Sequence, residues 1–186
     1  MAIQDTPQQL LSGYGYADEA ASMADFDAIV ESSGAFHLYR EIWGEPLFHR
    51  PGTQLKQMRV DRILTPNRKL LDAGWKGGVI IVEGKRADFH LGKAVSQAQD
   101  YARCAFTLPS GGVRVVADWV FIWPLEGEPK GDVGSIMAQS RIGWVSSSAM
   151  RPLVFGCGGT HGITVNSDGS VFVKQFPMGR KTGNRG

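Results

Sequence analysis

Val79-Ile80-Ile81-Val82-Glu83-Gly84-Lys85 sets four β-branched residues directly before a carboxylate, a glycine and an ammonium group. A run of β-branched residues without polar alternation is the pattern of a strand buried on both faces. Such a strand needs cover on each side, which predicts the centre of an α/β fold. Successive side chains on a strand point to opposite faces, so Glu83 and Lys85 share a face with Val79 and Ile81. A carboxylate and an ammonium at the end of a buried strand are costly unless they pair or meet a metal ion.

Upstream, Arg59-Val60-Asp61-Arg62-Ile63-Leu64 reads as a second strand, stopped by Thr65-Pro66-Asn67. A loop with one helical turn leads from there to Gly77-Gly78. Further back, Phe26, Ile29, Val30, Leu38 and Ile42 predict two short helices between Met23 and Ile42, broken at Ser32-Ser33-Gly34. Downstream, Leu91, Ala94, Val95, Ala98, Ala102 and Ala105 recur at helical spacing and predict a helix from Leu91 to Phe106. Val113 to Trp123 reads as a strand closed by Pro124. Ile163 to Val165 and Val171 to Gln175 flank Asn166-Ser167-Asp168-Gly169 as a hairpin. The expected organisation is a loosely ordered start over 1–22, one α/β domain over 23–178 with a mixed β-sheet core flanked by helices, and a basic disordered tail over 179–186.

A chain of 186 residues, 42% hydrophobic and 20% charged, suits one domain with a real core and is short for two. No apolar run approaches the ~20 residues that span a bilayer, and the start lacks a signal-peptide pattern, so a cytoplasmic protein with no membrane partner is expected. Cys104 and Cys157 are too few for a disulfide framework and have no zinc spacing. Charge is unevenly spread. Residues 1–49 carry eight acids against one base, and residues 50–93 carry ten Lys and Arg against four acids. A basic middle third attracts a phosphate backbone, and is equally what a solvated face looks like.

Asp61 brings a second carboxylate if its strand lies beside Val79–Val82. Phosphodiester hydrolysis asks for such groups: hard oxygen ligands for Mg²⁺ or Mn²⁺, and positive charge where the transition state becomes more anionic. Asp61 and Glu83 are the candidate ligands, with the Gly84 carbonyl as a third, and Lys85 orients water or steadies the phosphate. Other candidates are weaker. Asp118 reads as a buried structural acid, and Gly156-Cys157-Gly158-Gly159-Thr160-His161 has a thiol and an imidazole with no partner acid. The tryptophans read mostly as core, with Trp75 in a basic loop as the one that could touch DNA.

In these residues the sequence resembles the PD-(D/E)XK nuclease superfamily: Asp61, then Glu83-Gly84-Lys85 ending an apolar strand, then a helix carrying Gln97-Ala98-Gln99-Asp100-Tyr101, which fits the Q-x-x-x-Y motif of the RecB-like branch. The resemblance covers about residues 59–106, or to about 120 with the next strand, and Val60 replaces the name-giving proline. It implies a restriction-endonuclease-like fold and a Mg²⁺- or Mn²⁺-dependent deoxyribonuclease of phage or bacterial DNA processing or defence. Endonuclease and exonuclease action both stay open. Gln97 would help organise the site, and Lys93, Tyr101, Arg62 and Arg86 would contact substrate. DNA is the expected partner, RNA a second option, and a homodimer is compatible with the reading. Family members often add a ligand from an early helix, for which His37, His49, Glu41 and Glu31 are candidates. The alternative is a catalytically silent nucleic-acid-binding module of the same fold.

Overall fold

The structure, a computed structural model, describes residues 19–48, 51–52, 57–86, 89–147, 152–158 and 160–174, without the side chains of 160 and 161. In chain order the elements are α1 (Glu19–Ser33), β1 (Phe36–Pro46), β2 (Met58–Pro66), α2 (Arg68–Asp72), β3 (Ile80–Gly84), α3 (Leu91–Tyr101), β4 (Cys104–Thr107), β5 (Arg114–Val116), β6 (Trp119–Trp123), α4 (Gly131–Gln139), β7 (Ile142–Ser147), β8 (Leu153–Cys157), β9 (Thr160–Val165) and β10 (Val171–Val173). All the strands join one ten-stranded mixed sheet in the order β10-β9-β8-β7-β6-β3-β2-β1-β4-β5. The central β3–β6–β7 pairs are parallel and the other pairs antiparallel. No helix among the described residues is long and apolar enough to cross a membrane.

β3 is buried along its whole length, and its alternation sorts the core into two layers. Ile80 and Val82 join a cluster with Met23, Phe26, Ile29 and Val30 of α1, Leu70 of α2, Phe121 and Trp123. Ile81 joins the opposite cluster with Leu91, Ala94, Val95 and Ala98 of α3 and Met137 of α4. The molecule is therefore helix, sheet, helix in section, with α1 and α3 on opposite faces of β3.

Sequence expectations and structure part company at four places. The second short helix expected before Ile42 is a strand, β1, which pairs along its length with β2. Its apolar residues misled because the two strands change face together. On β1, Leu38 faces the α1 layer and Tyr39 the α3 layer, yet Ile42 also faces the α3 layer, where strict alternation from Tyr39 would put residue 41. On β2, Leu64 and Ile63 obey alternation, and Val60 then falls on the α3 side as well. The switch lies at Glu41, whose φ of 52° is left-handed, and at Asp61, between the rungs Arg40↔Arg62 and Ile42↔Val60. Positions 38, 39 and 42 thus acquire helix-like spacing on a strand.

The helix expected over Leu91–Phe106 ends at Tyr101, and Cys104–Thr107 is β4, paired with Gly44–Pro46 of β1. The helical phase of Ala102 and Ala105 ran on past a real helix end. At the N-terminus, α1 begins at Glu19, inside the segment 1–22 expected to be loose, while the tail 179–186 lies outside the described residues. The β9–β10 hairpin about Asn166–Gly169 is as expected, with Gln175 outside the described residues. Val113–Trp123 divides into β5 and β6.

Candidate active site

The site forms where β3 ends. The β2–β3 register, Ile63↔Ile81 then Arg62↔Val82, brings Asp61 alongside the last residues of β3, and Asp61 Oδ2 accepts a hydrogen bond from the Gly84 N–H at 2.8 Å. Glycine at 84 answers a packing demand: a Cβ there would run into Met23 Sδ of α1. Close approach of α1 to the strand brings in Glu19, the acid of the helix's first turn, where the positive end of the helix dipole favours a carboxylate. The helix is held in place by Trp123 Nε1, which donates to the Ser22 carbonyl at 3.0 Å, and by Asp27 (below). Oxygens of Glu19, Asp61 and Glu83 come within 4.8 Å of one another.

On the α3 side a hydrogen-bonded chain supports this cluster. Lys85 Nζ donates to Glu83 Oε1 at 2.8 Å and to Gln97 Oε1 at 2.9 Å. Gln97 Nε2 donates to the Tyr101 hydroxyl at 2.7 Å, and that hydroxyl donates to the Arg59 carbonyl at 3.2 Å. Gln97 and Tyr101, four residues apart on α3, meet because residues at i and i+4 share a helix face. Glu83 is 3% exposed, its Oε2 is buried with no hydrogen-bond partner of good geometry among the described residues, and the Tyr101 hydroxyl is its other polar neighbour. Leaving such an oxygen unsatisfied costs about 1–3 kcal/mol or more.

Electrostatics follow from this crowding. Burial, and then the Asp61 carboxylate, push the Glu83 carboxyl up to about 7, against the opposing pull of Lys85. Burial and Asp61 likewise raise Glu19 above the usual carboxylate range. Burial and the neighbouring Glu83 hold the Tyr101 phenol far above its ordinary value, so it stays protonated. Asp61 thus disfavours the charged forms of both Glu19 and Glu83, and three crowded carboxylates form a hard-oxygen donor set suited to a divalent cation.

Asp61, Glu83, Lys85, Gln97 and Tyr101 thus come together from three separate elements. Gly84 takes part through its N–H. Lys93 is exposed in the first turn of α3, and Arg86 is exposed just past β3. Arg62 must be corrected: its guanidinium lies on the α1 side, donating to Asp27 through Nε at 2.7 Å and Nη2 at 2.9 Å and to the Asp61 carbonyl at 2.6 Å, and is only 11% exposed. It is a half-buried clamp on α1, not a substrate contact. His37 and Glu41 are also corrected, since both stand exposed on β1, outside the carboxylate cluster, and Glu41 lies 4.0 Å from Arg59. Glu31 is on α1 but bonds Arg40, and His49 lies outside the described residues.

The residue missed was Glu19. Its signal was present: an acid four residues before Met23 and seven before Phe26, at the start of an apolar helical pattern. Trp75 is buried, its Nε1 bonded to the Gly78 carbonyl at 3.0 Å, which removes it from a DNA surface. Asp118 Oδ2 accepts from the Val79 N–H at 2.7 Å, a structural role at the other end of β3. Burial pushes the Cys157 thiol up to about 12, unsuited to a nucleophile. Comparison of the chain with protein-family models, with curated proteins and with solved structures finds no match.

Proposed function

We propose that this protein is a metal-dependent nuclease of the PD-(D/E)XK type, with a restriction-endonuclease-like core, that hydrolyses DNA phosphodiester bonds. The observation that carries the reading is the meeting of the Glu19–Asp61–Glu83 cluster with the Lys85–Gln97–Tyr101 chain. Glu19, Asp61 and Glu83 would hold Mg²⁺ or Mn²⁺, with the Gly84 carbonyl as a further donor. The bound cation would offset charge on the phosphate oxygens and acidify water in the site.

The chain's own groups do the rest. An ammonium has three donors, and Lys85 directs two of them at Glu83 and Gln97. The third is available to a phosphate oxygen or to the attacking water, where positive charge counts most as the transition state gains negative charge. Gln97 cannot turn over without losing its bond to Lys85 or to Tyr101, so it fixes where the ammonium points. Tyr101 anchors that chain to the Arg59 carbonyl of β2, the strand that also bears Asp61.

The test is cleavage of plasmid and linear DNA by wild type, Lys85→Ala and Glu19→Gln, each with Mg²⁺, Mn²⁺ or EDTA. Wild type should cut only with metal, and both variants should lose most activity while remaining folded by circular dichroism. A wild type inert with both metals, or a Lys85→Ala variant as active as wild type, rejects the nuclease reading and leaves a silent binding module.

A further inference from the structure

Five tryptophans are described, and four of them are buried: Trp75, Trp119, Trp123 and Trp144 are each 4% exposed or less, whereas Trp43 on β1 is 59% exposed. Exposing a large indole is unfavourable unless something covers it in use. Directly across the β1–β2 ladder stands Arg59, its guanidinium carbon 6.0 Å from the Trp43 ring centroid. Arg59 is two residues from Asp61 on β2, about 7 Å at ~3.3 Å per residue. Its ion pair with Glu41, at 4.0 Å between half-exposed groups, is a weak surface contact. Phe48, 91% exposed, and Leu47 continue the apolar surface beyond the end of β1.

We propose that Trp43 and Arg59 form a stacking platform for an unpaired base next to the phosphate in the candidate active site, so that the preferred ligand is single-stranded DNA. This rests on the nuclease reading for the neighbouring site, but the platform itself binds without catalysis. A duplex keeps its base faces stacked inside, and a flat indole beside a cation has nothing to stack on there. An unpaired base offers a π-face, and the guanidinium faces its phosphate. Glu45, exposed two residues along β1, repels phosphate, which directs the strand over β2 and Arg59 toward Asp61.

Wild-type emission sums five indoles, of which Trp43 is the exposed one, so the quenching that DNA causes in wild type and not in Trp43→Phe reports on Trp43. Fluorescein-labelled single-stranded oligo-dT and a labelled duplex of equal length are titrated with the full chain in EDTA, and affinities are read by anisotropy for wild type, Trp43→Ala and Trp43→Phe. Expected are quenching by oligo-dT, an affinity loss of about tenfold in Trp43→Ala, substantial rescue in Trp43→Phe, and duplex affinity equal in all three. Unchanged oligo-dT affinity in Trp43→Ala, or an equal loss for duplex, overturns the platform. So does wild type that self-associates in sedimentation through Trp43 while DNA leaves its emission unaltered. Oligo-dT binding through Trp43 without cleavage in any metal would retain the platform and reject the nuclease reading. Metal-dependent cleavage indifferent to Trp43 would do the reverse.

Discussion

Asp27 and Glu83 are both buried carboxylates, one facing the α1 layer and one the α3 layer, and their surroundings differ in kind. Asp27 is matched on both oxygens: Arg62 donates to each, and Arg40 Nε adds a bond at 3.1 Å. Glu83 has one ammonium partner on Oε1, an Oε2 without a well-formed hydrogen bond among the described residues, the Tyr101 hydroxyl nearby and a second carboxylate close by. Saturated charge at Asp27 fixes α1 to β1 and β2. Unsaturated charge at Glu83 leaves a free energy debt that a bound cation can relieve. The contrast separates a structural acid from a candidate functional one where burial alone does not.

The largest expected effect breaks the structural side. Asp27→Ala leaves the half-buried Arg62 without its counter-charge, and should lower stability by about 3 kcal/mol in urea unfolding; a loss below about 1 kcal/mol would show that the clamp is not structural. On the functional side, Lys85→Ala should reduce the cleavage rate by roughly 10²–10³-fold, the scale for removing one positioned donor, with a smaller loss of stability than Asp27→Ala, because the Glu83 carboxyl can take up a proton whereas the Arg62 guanidinium cannot lose one. The two substitutions thus have opposite signatures, and similar signatures from both would dissolve the distinction.

Glu83→Gln sharpens it through pH. In metal-free protein the Glu83 carboxyl titrates at about 7 rather than near 4.5, so the native state binds the extra proton between those values. Stability carried by that group is present below about pH 4.5 and is lost as pH rises through 7. The variant should therefore match wild type at pH 4.5 and exceed it by up to about 3 kcal/mol at pH 8 in EDTA. A difference independent of pH would mean that Glu83 is not held in a costly ionised state. The smallest effect is linkage: Mn²⁺ at tenfold its dissociation constant should stabilise wild type by about 1.4 kcal/mol and stabilise Glu83→Gln much less, as read by thermal melts. Equal stabilisation of the two would place the cation elsewhere.

How much of this the sequence disclosed depended on whether the determinant was local. Val79–Val82 announced β3 because burial on both faces selects residue type directly, and Glu83, Lys85, Gln97 and Tyr101 converge because two simple periodicities place them. β1 was opaque because its face switch at Glu41 mimics helical spacing, and β4 was hidden in turn, since its partner Gly44–Pro46 had been assigned to no strand. Arg62 looked like a substrate contact because nothing local reveals Asp27, 35 residues away. Glu19 escaped for a similar reason: its relation to Asp61 is made by the packing of α1 over Gly84.

The step at Glu41 and Asp61, between two rungs of the ladder, is a change of reading frame. In an ordinary ladder, slipping a strand by one residue inverts every side chain beyond the slip. β1 and β2 each carry one such inversion at the same step, with pairing kept on either side. Deleting Glu41 would return β1 to a single frame while β2 kept its inversion, and the two halves of the pair would disagree about which residues are core. Trp43 would then stand opposite Val60, whose side chain belongs to the other face of the sheet. The frame change is thus held in common by two strands, and its joint lies where Asp61 enters the carboxylate cluster.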